Sequence, residues 1–168
     1  MRLPTRKSEL ERLERQVIDN YLTPAKIERM QVELQDLIKN QRRPAADEVA
    51  RTAQMGDLSE NAAYQFAKQH LRRLNDRITN LEERLKHAIP INQGASDGVI
   101  RIGSTVTLRT NGKQLIFEIL GSSETNPSSG RISYSSPLGA SLIGQRVGEV
   151  VVLKTLRGET KYEIVLIG

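Results

Sequence analysis

The sequence predicts an α+β protein, with an N-terminal antiparallel α-helical coiled-coil hairpin followed by a small antiparallel sheet with one short helix. Three observations carry this prediction. Composition changes near Ala88, from Glu, Arg, Leu and Gln with almost no glycine to Gly, Ser, Thr, Val and Ile. The first half repeats apolar residues every 3.5 positions on average, the period of one helix packed on another. The second half holds short β-branched runs divided by turn residues.

Residues 1–22 read as an extension in which Leu10, Leu13 and Val17 suggest a short helix ending near Thr23-Pro24. Thr23 suits an N-cap, and Pro24 the first helical position. The hairpin is assigned to 23–88. Its first arm carries Ile27, Met30, Leu34 and Leu37 at spacings of 3, 4 and 3. The seam weakens at Arg42, Arg43 and Pro44, where proline removes a helix hydrogen bond and is expected to bend the arm. Gly56 supplies the reversal, since it tolerates positive φ. The second arm carries Ala67, Leu71, Leu74, Ile78, Leu81 and Leu85 at spacings of 4, 3, 4, 3 and 4. "IPINQGASDG", with Pro90, Gly94 and Gly98, reads as a linker over 89–98.

Residues 99–168 form the second domain. "TVTLRT" and "QLIFEIL" flank Asn111-Gly112, a pair able to take positive φ at both positions of a tight hairpin turn. "RISYSS" is a third strand, and "EVVVLKT" and "TKYEIVLIG" form a closing hairpin around "LRGE". In "SPLGASLIG", Ser136 is a candidate N-cap, Pro137 opens a short helix and Gly144 follows its end.

Hydrophobic residues make up 38% and charged residues 27% of the 168, which suits a globular or coiled-coil protein. No apolar run approaches the roughly 18 residues that span a bilayer, and "MRLPTRKSELERLER" lacks the apolar core of a signal peptide. Cysteine is absent, which excludes disulfides and thiolate metal sites and points to the cytoplasm. The net charge of +5 is mild and leaves an acidic partner open.

"QMGDLSENAAYQ", residues 54–65, sets Asp57 and Glu60 three residues apart beside Gly56. One reading is a capping box, with Asp57 as N-cap of the second arm. The other starts from their place at the far end of a thin hairpin. Two carboxylates on one turn, roughly 5–6 Å apart, can share a divalent cation. They cannot fill the six-oxygen shell of Mg²⁺. A half-site on a stalk makes sense where another macromolecule holds the rest.

"GDLSENAAY" and the basic heptads after it resemble the tip of the bacterial Gre (GreA/GreB) transcript-cleavage factors of RNA polymerase. The resemblance runs from about Thr23 to the C-terminus. It takes in "RRP" at Arg42–Pro44, "SSPLGASLIG" and "VVVLKTLRGE". It implies that the coiled coil enters the polymerase secondary channel while an FKBP-like C-terminal domain docks at the rim. Asp57 and Glu60 would help hold a Mg²⁺ shared with the polymerase active site and orient water for hydrolysis of backtracked RNA. Gly56, Asn61 and Tyr64 would support the tip. The docking surface would include Ser136, Pro137, Leu138, Leu142 and Ile143. The partners implied are bacterial RNA polymerase and the 3′ end of the RNA. The protein would act as a monomer without a membrane, as an accessory factor with no enzyme activity or cofactor of its own.

The chain departs from the family pattern in its first 20 or so residues, in Gly139-Ala140 where an Ala-Arg pair is common, and in Ala63 where an acid is frequent. With Leu71 and Leu74 at heptad positions a and d, Lys68 falls at e, His70 and Arg77 at g, Arg72 at b and Arg73 at c. These bases read either as a solvated coiled-coil flank or as an attraction for RNA phosphates. The resemblance implies the second role for Lys68, Arg72 and Arg73. Two rival functions stand beside this one. A Gre-like paralogue would occupy the channel and regulate or inhibit without cleavage; the intact Asp-x-x-Glu argues against it. A peptide-binding or isomerase module on the FKBP-like domain would need an aromatic pocket, and only Phe117, Tyr134 and Tyr162 lie there.

Overall fold

The computed structural model describes residues 19–54, 61–92, 97–155 and 158–168. These fall into two compact units, one within Leu22–Gln93 and one that joins residues 19–21 to the described part of Gly94–Gly168.

In the first unit, helix α1 (Pro24–Asp36) starts beneath Thr23, whose Oγ1 accepts the Lys26 N–H at 3.2 Å. A five-residue π turn, Leu37–Gln41, leads into α2 (Arg42–Ala53), and α3 (Ala62–Lys86) runs back antiparallel. Met30, Leu37, Ala45, Leu74, Ile78 and Leu81 are buried between the arms, with Ile27, Leu34, Leu71 and Leu85 packed around them. The heptad positions of both arms therefore meet as their period demands. Arg77 of α3 reaches Glu33 of α1 across the seam, Nη2 to Oε1 at 2.6 Å.

The break expected at Arg42, Arg43 and Pro44 is this π turn. Arg42 N–H donates to the Leu37 carbonyl, five residues back, so the turn holds one extra residue. Pro44 has no N–H to give, and the wider turn just ahead of it takes up the misfit. The seam resumes at Ala45, eight positions after Leu37 instead of seven, and continues to Thr52, which is 1% exposed.

The extension reading needs correction where it meets the hairpin. Tyr21–Leu22 is a strand, β1, paired with β2 (Ile89–Pro90) inside the segment expected to be linker. Leu22 is buried, and its carbonyl accepts the Ile91 N–H at 2.9 Å, which replaces any helical bond at that position. The helix expected around Leu10, Leu13 and Val17 lies outside the described residues.

The second unit is a five-stranded sheet of order β5-β4-β3-β7-β6: β3 (Thr105–Thr110), β4 (Lys113–Leu120), β5 (Arg131–Ser133), β6 (Val150–Thr155) and β7 (Gly158–Ile167). Its ladders are antiparallel except β4–β5, which is parallel. The Asn111-Gly112 turn has φ of 48° and 74°, as a two-residue hairpin of this hand requires. Ile100, Val106, Leu108, Ile119, Leu142 and Ile164 are its fully enclosed core. "RISYSS" stays extended only to Ser133, because the chain then turns to start helix α4 (Pro137–Leu142) under the Ser136 cap. Residues 19–21 lie against this unit. The Asp19 carboxylate accepts N–H groups from Tyr21 and Ser122, and the Tyr21 ring meets Tyr134 edge-on, with centroids 5.6 Å apart. Among the described residues no helix is long and apolar enough to cross a membrane.

Candidate functional site

Gly56, Asp57 and Glu60 lie in the connection 55–60, outside the described residues. The structure describes the frame that holds this connection. Helix α3 begins at Ala62, and Asn61 is its N-cap: Asn61 Oδ1 accepts the Tyr64 N–H at 3.0 Å. The same side chain reaches across, its Nδ2 donating to the Thr52 carbonyl at 2.8 Å. One asparagine thus caps the second arm and ties it to the end of the first. Thr52 is itself fixed, its Oγ1 donating to the Glu48 carbonyl at 2.8 Å. Asparagine caps as well as aspartate does. Helix α3 is therefore capped without Asp57, and the capping-box reading of Asp57 and Glu60 does not describe that helix.

Tyr64, one turn into α3, is half-buried, and the Lys68 ammonium sits 5.9 Å from its ring centroid. This is the geometry of a cation–π contact. Lys68, His70, Arg72 and Arg73 are all exposed. Arg72 makes one ion pair, with Asp76 at 4.0 Å, in which both side chains are over 70% exposed. Such a pair is weak and leaves the guanidinium open to other anions. Gln65, Phe66, Lys68, Gln69 and Arg72 line a groove of about 500 Å³. All five belong to one helix, so its walls are side chains standing in solvent.

Phe66 is 68% exposed, the most exposed large apolar residue among those described. Sequence reasoning passed over it. The signal was present, because the register that places Leu71 at a places Phe66 at c, an outward position where an aromatic ring has no seam to fill.

Two carboxylates can supply only part of the oxygen shell that Mg²⁺ requires. Among the described residues no group of three or more His, Asp or Glu comes together to hold a metal.

The docking candidates divide by burial. Pro137 and Ile143 are exposed, while Ser136 and Leu138 are half-buried. Ser136 Oγ accepts the Gly139 N–H at 3.1 Å and donates to the Ser133 carbonyl at 2.7 Å. Leu142 is 0% exposed, which corrects its placement on a docking surface: it faces the core. Gly139 has a structural reason. A Cβ there would stand 2.0 Å from the Ser133 carbonyl oxygen, so α4 lies closer to β5 than any side chain allows.

Two family models match the chain. "Transcription elongation factor, N-terminal" covers residues 20–89, and "Transcription elongation factor, GreA/GreB, C-term" covers residues 95–168. The chain belongs to the GreA/GreB family of transcription elongation factors. It is 40% identical to transcription elongation factor GreA of Chloroflexus aggregans over 147 residues, covering 86% of this chain and 94% of that one. With GreA of Bacillus anthracis it is 36% identical over 141 residues, covering 82% and 89%. Among solved structures it is similar to GreA factor homolog 1 (Gfh1) of Thermus thermophilus, at 29% identity and a TM-score of 0.41, covering 89% of this chain and 99% of that one. Family membership makes transcription elongation the setting in which the frame around residues 55–60 is to be understood.

Proposed function

We propose that this Gre-family chain binds bacterial RNA polymerase, inserts its coiled coil into the secondary channel and stimulates the polymerase's own cleavage of backtracked RNA. The observation that carries this reading is the Asn61 bridge. It ties both ends of the connection bearing Asp57 and Glu60, and it caps α3, so those carboxylates are not needed as its cap. In this reading they serve as ligands presented to another protein's metal. Mg²⁺ shared in that site supplies Lewis-acid stabilisation of phosphodiester hydrolysis. The chain contributes carboxylate oxygens from Asp57 and Glu60, and a tip held by Asn61 and Tyr64. Lys68, Arg72 and Arg73 attract RNA phosphates without base preference. The exposed Pro137 and Ile143, with the half-buried Ser136 and Leu138, form the docking face. The factor completes an active site that the polymerase owns and is not an enzyme by itself.

The test is RNA cleavage in halted, backtracked elongation complexes. Wild type should stimulate cleavage. Asp57→Asn and Glu60→Gln should abolish stimulation, because a neutral amide is a far poorer Mg²⁺ ligand, while polymerase binding and thermal melting stay at wild-type values. Normal cleavage by Asp57→Asn would remove the metal-ligand assignment.

A further inference from the structure

The groove on α3 joins an unpartnered aromatic ring to cations. Phe66 stands 68% exposed between the tip and the basic stretch, with Lys68 and Arg72 in the same groove and Gln65 and Gln69 beside it. Arg73 lies seven residues on from Phe66, at the same heptad position and so on the same helix face. The hairpin has no structural use for this ring. Its seam at this level is filled by Ala67, which is 4% exposed, and by Leu71. An exposed phenylalanine on a solvated face gains nothing by burial, whereas flanked by cations it has the chemistry of a single-stranded nucleic acid platform. A base stacks on the ring while its phosphates meet Lys and Arg.

We infer that Phe66 is a stacking platform for a nucleobase of the single-stranded RNA that the factor engages. This rests on the cleavage reading for its RNA and goes beyond it, since phosphate attraction alone uses no aromatic ring. The cations favour RNA over an apolar protein surface as the occupant. A protein patch fitting this groove would have to bring acids to Lys68 and Arg72 as well as a pocket for the ring. RNA carries both complements in every nucleotide. Stacking is sequence-tolerant because every base has a π face.

The protein contains no tryptophan, so Phe66→Trp installs a single reporter at the proposed contact. In the full-length chain its fluorescence should be quenched by a single-stranded RNA oligonucleotide at low salt. An abasic oligonucleotide of equal charge should quench it far less. Val32→Trp, at a site 63% exposed on α1, is the control and should respond to neither. In halted complexes, Phe66→Ala should lower cleavage stimulation by about fivefold or more, the scale of one lost base–aromatic stack. Phe66→Tyr should restore it. With RNA abasic in the extruded segment, wild type and Phe66→Ala should cleave alike. Equal loss with normal and abasic RNA would overturn the inference and make Phe66 a contact to polymerase protein. An unquenched Phe66→Trp would overturn it directly. Quenching without any cleavage by wild type would instead sink the cleavage reading and leave the stacking site standing.

Discussion

Asn61→Ala is the substitution that probes the site's frame most directly. It deletes two interactions made by one side chain: the cap on the Tyr64 N–H at 3.0 Å and the bridge to the Thr52 carbonyl at 2.8 Å. Losing an N-cap costs about 0.5–2 kcal/mol. The bridge is a neutral hydrogen bond to a residue that is 1% exposed, so its removal adds about 0.5–1.5 kcal/mol. Together the cost is about 1–3.5 kcal/mol. In a unit of about 70 residues each kcal/mol shifts Tm by roughly 4–8 °C. The hairpin transition should therefore fall by roughly 4–28 °C. Far-ultraviolet circular dichroism reads this, because most of the described helix lies in that unit. Asn61→Asp separates the two parts. It keeps the acceptor for Tyr64 N–H and loses only the donor to Thr52, so its transition should lie between those of wild type and Asn61→Ala. Amide exchange at Tyr64 should quicken in Asn61→Ala and stay slow in Asn61→Asp. A hairpin transition in Asn61→Ala indistinguishable from wild type would show that neither bond matters and would refute the account of the frame.

Two further outcomes test the second unit. Gly139→Ala places a methyl 2.0 Å from the Ser133 carbonyl oxygen, a backbone atom that cannot step aside, and should destabilise the unit by about 3 kcal/mol or more in urea titration, with the hairpin melting as before. Tyr134 has its hydroxyl pKa raised above 10.0, first by burial and then by Asp19 and Tyr21, so the folded state keeps a proton that the unfolded chain releases. Stability of this unit should accordingly fall as pH rises above about 10, and the difference between wild type and Tyr134→Phe should show that slope, whereas a pH-independent difference would contradict it.

The parts of this molecule that could be read from sequence are those where one physical rule governs a long run. The second arm keeps a 3.5-residue period from Ala67 to Leu85 without interruption, and the structure buries that stripe. The first arm obeys the same rule but slips by one residue at the π turn Leu37–Gln41, so a fixed period loses Ala45 and Thr52 although both are buried. The slip follows from Pro44, whose effect is legible as a disturbance but not as an added residue. The short β1–β2 pairing escaped because two residues carry no period, and the apolar spacing upstream favoured helix. The parallel β4–β5 ladder joins strands by non-local pairing that alternation within "RISYSS" cannot specify. Leu142 and Ile143 show the same limit at the docking helix. Both are apolar and adjacent in sequence, yet one is fully enclosed and the other exposed, and only the packing of α4 against the sheet separates them.

The acids at the tip raise a different difficulty, since Asp57 with Glu60 fits a capping box as well as a half metal site. The neighbour that bears on the capping reading is Asn61, to which the resemblance gave a supporting role at the tip. Asn61 takes the cap of α3 and spends its remaining donor on Thr52, and that leaves no unmet helix bond at Tyr64 N–H for Asp57 to satisfy. The proposed metal role would place both carboxylates on a segment flanked by this bridge, and the cleavage assay of Asp57→Asn and Glu60→Gln decides it. Phe66 raises a like question one turn further along. It contributes nothing to the seam of its own protein, and the proposed stacking on RNA would give it a use.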